Sequence, residues 1–354
     1  MKKHNFSAGP SILPQEVFRK ASEAVIDFKN TGLSILEISH RSPEFIEVMD
    51  EARSLALELA GLDDSYETLY LQGGASTQFL SVAYNLLERK GAYVDTGTWS
   101  AKAIKEAKAF GDVDVIASSK ENGYRNIPKE IHIPADADYL HITTNNTIYG
   151  TEFHSVPDTQ IPLIADMSSD IFSRKWEYSK FGLVYAGAQK NLGSAGTTLV
   201  IVKKDILGKV SRHIPSILNY QVQIDNESMF NTPATFAVYT NLLTLQWIKN
   251  NGGLQGMETR NKTKADLLYA EIDRNPLVKG YADTQDRSLM NVVFNLVDEQ
   301  AHKTLFDNLC KEAGISGVKG HRSVGGYRAS IYNAMPVESV QVLVDALKEL
   351  EQKA

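Results

Sequence analysis

The sequence predicts an α/β protein with a large, mostly parallel mixed-sheet domain and a smaller α/β domain. Three observations predict it. Short apolar runs rich in Val, Ile or Tyr recur between residues 67 and 202, bounded by turn residues, and helical patterns separate some of them. After Pro233 the pattern changes to two long helical stretches, then alternating strands and helices. The 354 residues are too many for one ordinary domain and suit a large one plus a small one.

The elements follow in order. Asn5-Phe6-Ser7-Ala8-Gly9-Pro10 reads as a turn. A helix starts near Pro14, since proline is tolerated in a first turn. A second runs from Ser42-Pro43 to Gly61, with a Ser cap, an early Pro and a terminal Gly. A strand over 67–71 leads through Gly73-Gly74 into a helix over 75–88. A strand over 92–95 precedes a helix over 100–110. Further strands are expected over 113–117, 139–143, 161–165, 183–185 and 197–202. Helices over 234–250 and 254–273, a strand over 291–296, a helix over 299–313, a strand over 328–332 and a last helix from Pro336 complete the chain. The boundary between the two layers is expected inside the long helix near residue 256. There is no internal repeat and no low-complexity segment.

Composition narrows the class. Hydrophobic residues at 43% and charged residues at 23% argue against disorder. A net charge of −6 does not suit a nucleic-acid or anionic-membrane binder, so positive charge for an anionic ligand must be local. The single cysteine, Cys310, rules out an intramolecular disulfide and a Cys-rich metal site. Lys2 and Lys3 are followed by no apolar signal core, and no apolar run approaches a membrane span. A cytoplasmic soluble protein is expected.

Four features carry chemistry. Lys190 follows an apolar run (181–186) and is flanked by Gly187, Ala188, Gly193, Ser194, Ala195 and Gly196. Small residues leave room for a flat ring, and a lysine beside an apolar strand loses its charge more readily and can form a Schiff base. Alone, Lys190 also reads as a surface lysine on a Gly-rich loop. Asp166 closes the apolar run 161–165, where ligands of α/β sheets bind; it could equally cap a helix. A pyridoxal-phosphate enzyme needs such a carboxylate against its ring nitrogen. Gly73-Gly74-Ala75-Ser76-Thr77 lies between a strand and a helix, suited to a phosphate or to a plain tight turn. Trp99 can stack on a ring or lie in the core. Finally, His40-Arg41, His321-Arg322 and Arg328 lie beside turn residues, where arginine forks suit carboxylate and phosphate. Each pair alone also reads as solvated surface charge. No HExxH or carboxylate-rich cluster accompanies the histidines, so no metal is expected.

Together these segments resemble the phosphoserine aminotransferases, fold-type I pyridoxal-phosphate transferases of the class-V aminotransferase family. The resemblance runs from Phe6-Ser7-Ala8-Gly9-Pro10 to Ala329-Ser330-Ile331-Tyr332-Asn333-Ala334-Met335-Pro336, and is most specific at Ser39-His40-Arg41-Ser42 and from Gly320-His321-Arg322 to Asn333. It implies a pyridoxal-5′-phosphate-binding domain over 14–256 and a small domain formed by 1–13 and 257–354. Lys190 would carry the cofactor and move the proton. Asp166 would pair with the ring nitrogen, Trp99 would stack on the ring and Thr147 would bond its hydroxyl side. Ala75, Ser76 and Gln189 would hold the cofactor phosphate. Asn231 and Thr232 would reach the cofactor phosphate of a neighbouring subunit, implying a homodimer. Arg328 would clamp the substrate α-carboxylate, and His40, Arg41, His321 and Arg322 would receive its phosphate. The reaction implied is amino transfer between phosphoserine and 2-oxoglutarate, in serine biosynthesis; the family also acts on phosphohydroxythreonine in pyridoxine synthesis. The stretch from Thr147 to Asp166 is slightly shorter than in some members.

Other readings compete. An alanine–glyoxylate-type aminotransferase would not need two His-Arg pairs. A cysteine desulfurase needs an exposed nucleophilic thiol, whereas Cys310 lies in a helical pattern with Leu305, Phe306 and Leu309. A non-catalytic binder of an anionic metabolite would leave Lys190 incidental. A dinucleotide dehydrogenase lacks its glycine fingerprint.

Overall fold

A computed structural model describes residues 3–354. The strands are β1 (His4–Asn5), β2 (Tyr66–Leu71), β3 (Lys90–Asp95), β4 (Asp112–Ser118), β5 (Tyr139–Thr143), β6 (Asn145–Asn146), β7 (Thr151–Glu152), β8 (Leu163–Asp166), β9 (Leu183–Gly187), β10 (Thr198–Lys203), β11 (Val278–Gly280), β12 (Asn291–Leu296), β13 (Ile315–Ser316) and β14 (Tyr327–Ser330). The α-helices are α1 (Gln15–Ile26), α2 (Pro43–Ala60), α3 (Gly74–Leu86), α4 (Thr98–Ala107), α5 (Tyr220–Asp225), α6 (Thr235–Asn250), α7 (Gly253–Arg274), α8 (Glu299–Glu312) and α9 (Val337–Lys353).

Seven strands form the main sheet in the order β2-β10-β9-β8-β5-β3-β4. Only β10 runs against its neighbours; all other pairs are parallel. The sheet is therefore mixed and mostly parallel. Its middle strands β5, β8 and β9 are buried throughout, as parallel strands covered on both faces require.

Local chemistry explains the helix bounds. On α2, Phe45, Val48, Met49, Ala52, Leu55 and Ala56 recur at helical spacing and are buried. Gly61 stops the helix in the left-handed region at φ 66°, where glycine carries no Cβ penalty. Ser42 stands at the N-cap as expected, but its hydroxyl makes no cap hydrogen bond. The strand expected over 161–165 begins only at Leu163, since Pro162 has no N–H to give. The strand expected over 328–332 ends at Ser330: the Ile331 N–H still reaches its in-register partner, the Met290 carbonyl, but the Ile331 and Tyr332 carbonyls accept from the Lys264 side chain of α7. Strands β1, β11 and β13 are only two or three residues long and leave no periodicity to detect.

Core packing divides by region. On one side of the sheet, Phe45, Val48 and Met49 of α2 pack with Val238, Leu242 and Leu245 of α6. A second cluster joins Phe79 and Val82 of α3 and Ile104 of α4 to Tyr93, Tyr139, Ile164 and Tyr185. A third holds Phe6, Leu268, Val292, Phe294, Phe306 and Leu343. Within α7, Met257 belongs to the first cluster and Ala265 onward to the third. The N-terminal segment joins the third cluster because β1 pairs in parallel with β13, His4 opposite Ile315. Among the described residues no helix is long and apolar enough to cross a membrane.

Candidate active site

Register brings the singled-out residues to one edge of the sheet. Thr198 lies opposite both Leu71 and Gly187, so β2 and β9 end together. Asp166 lies opposite both Thr143 and Tyr185. The Gly73 turn, Asp166, the 143–147 segment and Lys190 therefore all sit at or beyond the carboxyl ends of their strands, the edge where such sheets bind ligands.

Lys190 is held on a tight turn after β9. The Ser11 N–H donates to the Gln189 carbonyl at 3.0 Å, and the Ser11 hydroxyl donates to the Lys190 carbonyl. Gly9 passes so close that a Cβ there would lie 3.3 Å from Lys190 Cγ. Two of the small residues near Lys190 also serve packing. A Cβ on Gly193 would strike the Asn241 side chain at 2.7 Å, and one on Gly196 would press on Ala237 at 3.3 Å. They let α6 pack against the turn.

Electrostatics support a reactive amine. Burial lowers the Lys190 pKa from the ordinary lysine value, and Arg328 pushes the same way, while Asp166 and Asp170 oppose them. Burial also raises the Asp166 carboxyl, against Lys190 and a hydrogen bond from the Ser168 N–H at 2.9 Å. Each group favours the charged form of the other, yet burial wins for both. Placed at the carboxyl end of β8, the Asp166 carboxylate suits a protonated ring nitrogen.

Trp99 stands near the start of α4, with the Lys190 Nζ 5.6 Å from its ring and Lys102 Nζ 4.5 Å away. Its indole N–H donates to the Thr147 hydroxyl at 2.9 Å. The Thr147 carbonyl in turn accepts from Arg328 Nη1 at 3.2 Å. Arg328 Nε is buried without a partner, as expected of a fork that awaits a carboxylate. His321 Nδ1 bonds the Ser323 hydroxyl at 2.7 Å, and burial, Arg328, Arg322 and Lys102 all lower its pKa. Lys190, Trp99, Thr147, Arg328, His321 and Arg322 thus share one neighbourhood.

The glycine turn has the backbone expected. Gly73 and Gly74 take φ of 98° and 69°, and no side chain caps α3, so its first N–H groups are available to an anion. Ala75 is half-buried and Ser76 exposed. Asn231 and Thr232 are exposed beside this turn, with Gln72 Nε2 donating to the Thr232 carbonyl at 2.6 Å. His40 is part-buried with an unpartnered Nε2, and Arg41 is exposed. No hydrogen bond or ion pair joins either of them to His321 or Arg322 among the described residues.

Several supporting residues escaped the sequence reading. The Ser168 hydroxyl accepts from the Gly187 N–H at 3.1 Å, tying the Asp166 turn to the Lys190 strand. Buried Asp170 accepts from the Thr144 hydroxyl at 2.5 Å; burial and Glu152 raise its pKa, and Arg174, 3.0 Å from Glu152, opposes them. Only the Ser11 clamp had a nearby signal, the turn-like run before it.

A lysine amine near an indole, a buried carboxylate and an uncapped helix N-terminus beside the carboxyl ends of the strands suit a pyridoxal-phosphate transferase. The family model described as Aminotransferase class-V matches residues 3–343. The chain belongs to that family and uses pyridoxal phosphate. More particularly, it is 65% identical to a phosphoserine aminotransferase of Flavobacterium johnsoniae, over 100% of both chains. Among solved structures, it is 45% identical to the phosphoserine aminotransferase of Bacillus circulans subsp. alkalophilus, with a TM-score of 0.96 over 99% of each chain. It is 36% identical to the pyridoxal-phosphate-bound enzyme of Trichomonas vaginalis, with a TM-score of 0.92 over 98% of this chain and 100% of that one.

Proposed function

We propose that the protein catalyses reversible amino transfer between O-phospho-L-serine plus 2-oxoglutarate and 3-phosphooxypyruvate plus L-glutamate, and so serves serine biosynthesis. The observation that carries this reading is the closeness of the Lys190 amine, of Arg328 with its buried unpartnered Nε, and of the His321-Arg322 pair, beside the carboxyl ends of the main-sheet strands.

Bound pyridoxal phosphate supplies an electron sink for the pair released when the Cα–H bond breaks. The chain does the rest. Lys190 Nζ, its proton affinity lowered by burial, takes the proton from the substrate Cα. Asp166 would keep a proton at the ring nitrogen. Trp99 would stack on the ring, and Thr147, oriented by the indole, would bond its hydroxyl side. Ala75, Ser76 and Gln189 would hold the cofactor phosphate. Arg328 takes the α-carboxylate in a forked grip. His40, Arg41, His321 and Arg322 receive the distal group, a phosphate in one half-reaction and a side-chain carboxylate in the other. A cluster of Arg and His suits both anions, which a rigid apolar pocket would not.

The protein acts, in this reading, as a cytoplasmic homodimer in which Asn231 and Thr232 reach the partner's cofactor phosphate. Leu33 and Leu36, just before His40-Arg41, and Phe230, beside Asn231, stay exposed in the single chain, as surfaces awaiting a second copy would. The two domains are 14–256 and 1–13 plus 257–354, with the change of core inside α7 as support.

The test is a donor panel. Purified holoenzyme is mixed with phosphoserine, serine, alanine and cysteine, and loss of the cofactor's absorbance is followed. Phosphoserine is expected to convert it at the lowest concentration. Equal conversion by serine or alanine overturns the phosphate reading.

A further inference from the structure

Lys264 of α7 is fully buried, and no carboxylate pairs with it among the described residues. Its Nζ donates instead to two successive backbone carbonyls, Ile331 at 2.8 Å and Tyr332 at 2.5 Å. Those carbonyls directly follow β14, the strand that bears Arg328. About one turn earlier on α7, Asn261 Nδ2 donates to Asn333 Oδ1 at 2.7 Å and to the Ser173 carbonyl at 2.8 Å. The Asn333 N–H then donates to Asn191 Oδ1 at 3.0 Å, and Asn191 is the residue after Lys190. The turn 331–333 is therefore fastened to α7, to the end of the Arg328 strand and to the Lys190 turn.

Packing alone does not call for a lysine here. A buried amine without a counter-ion is costly, and methionine would fill similar space with no polar group. The donors are matched to the acceptors instead. Burial, with Arg260, pushes the Lys264 pKa well below the ordinary lysine range, and its amine meets the two carbonyls with N–H donors that a methionine lacks.

We infer that Lys264 is a positioning residue for the substrate clamp, holding the end of β14 that aims Arg328 and keeping it in step with Lys190 through Asn333 and Asn191. The inference rests on the reading of Arg328 as the α-carboxylate clamp. Phosphoserine and glutamate share that carboxylate, so both should feel the loss of Lys264 alike.

The test compares holoenzymes carrying Lys264→Met, Lys264→Gln, Arg328→Lys and the Lys264→Met/Arg328→Lys pair, with both donors and with thermal melts. Lys264→Met should raise KM for both donors by about tenfold while kcat stays within about threefold. Lys264→Gln should recover part of the loss, since its amide presents two N–H donors. In the Arg328→Lys background, Lys264→Met should add no more than about twofold. Unchanged KM in Lys264→Met, or fully additive effects in the pair, overturns the role of Lys264 and leaves that of Arg328 standing. Unchanged KM in Arg328→Lys overturns the clamp reading itself, and the inference with it. If Lys264→Met does not fold, Lys264→Gln carries the same comparison; a loss of kcat in proportion to the folded fraction, at unchanged KM, then overturns the inference.

Discussion

The indole N–H of Trp99 ends on the Thr147 hydroxyl, 2.9 Å away, and the same threonine offers its carbonyl to Arg328. One residue thus orients both the Trp99 indole and the Arg328 guanidinium. Thr147→Val keeps the shape and the carbonyl but leaves the indole donor unpaired. An unpaired donor costs about 1–3 kcal/mol, so cofactor affinity should fall by roughly 5- to 150-fold. A cofactor titration of the apoenzyme measures it, and an unchanged affinity contradicts the role given to this pair.

Lys190→Ala should abolish both borohydride trapping of the cofactor and amino transfer, leaving the melting curve close to that of the unmodified chain. Proton transfer by a positioned base is worth about 10²–10⁴-fold, and the covalent attachment is lost as well. Persistent trapping in the variant would move the attachment to another lysine.

Asp166→Asn isolates the charge facing that amine. Asp166 raises the Lys190 pKa, so removing its charge should lower the amine's pKa further. The pH dependence of apoenzyme amine modification reports the shift. A shift upward would mean that the two groups do not face each other.

His141 provides a pH signature. It is buried, bonded through Nε2 to the Tyr185 hydroxyl at 2.9 Å and stacked on Tyr93, and burial lowers its pKa to about 3. An unfolded histidine titrates near ~6.5. Between these values the unfolded chain binds the extra proton, so this residue's contribution to stability is full above ~6.5 and is lost as pH falls toward 3. Denaturant melts should show a shallower acid decline in His141→Gln than in the parent. Identical slopes would exclude the linkage.

Cys310 is buried, and its thiol is pushed up to about 12, burial being the main cause. It should ignore a disulfide reagent in the native state and react fully on unfolding. Rapid native labelling would reopen the desulfurase reading.

Much of the fold was legible because its signals are local. The β5 bounds coincide with the run 139–143, and α2 lies between its early Pro and its terminal Gly. Lys190 and Asp166 were legible as residue types closing apolar strands. The reason for the glycines near Lys190 was not, because it depends on Ala237 and Asn241 of a helix some 40–50 residues away in the sequence. The Ser168 bridge, the Ser11 clamp and the buried Lys264 were equally hidden. Each is an ordinary residue made significant by a partner distant in the chain, and periodicity carries no trace of such pairings. His40-Arg41 was legible as a pair, but no hydrogen bond or ion pair joins it to His321 or Arg322 among the described residues.

The pairing of His4 with Ile315 sets an order of assembly. At ~5–20 residues per second, roughly 15–60 s of synthesis separate the two strands. Through that interval the first strand has nothing to pair with, and the nearby Ser11 that grips the Lys190 carbonyl is tethered on one side only. The segment that holds the lysine turn thus gains its second anchor only after residue 315 has been made.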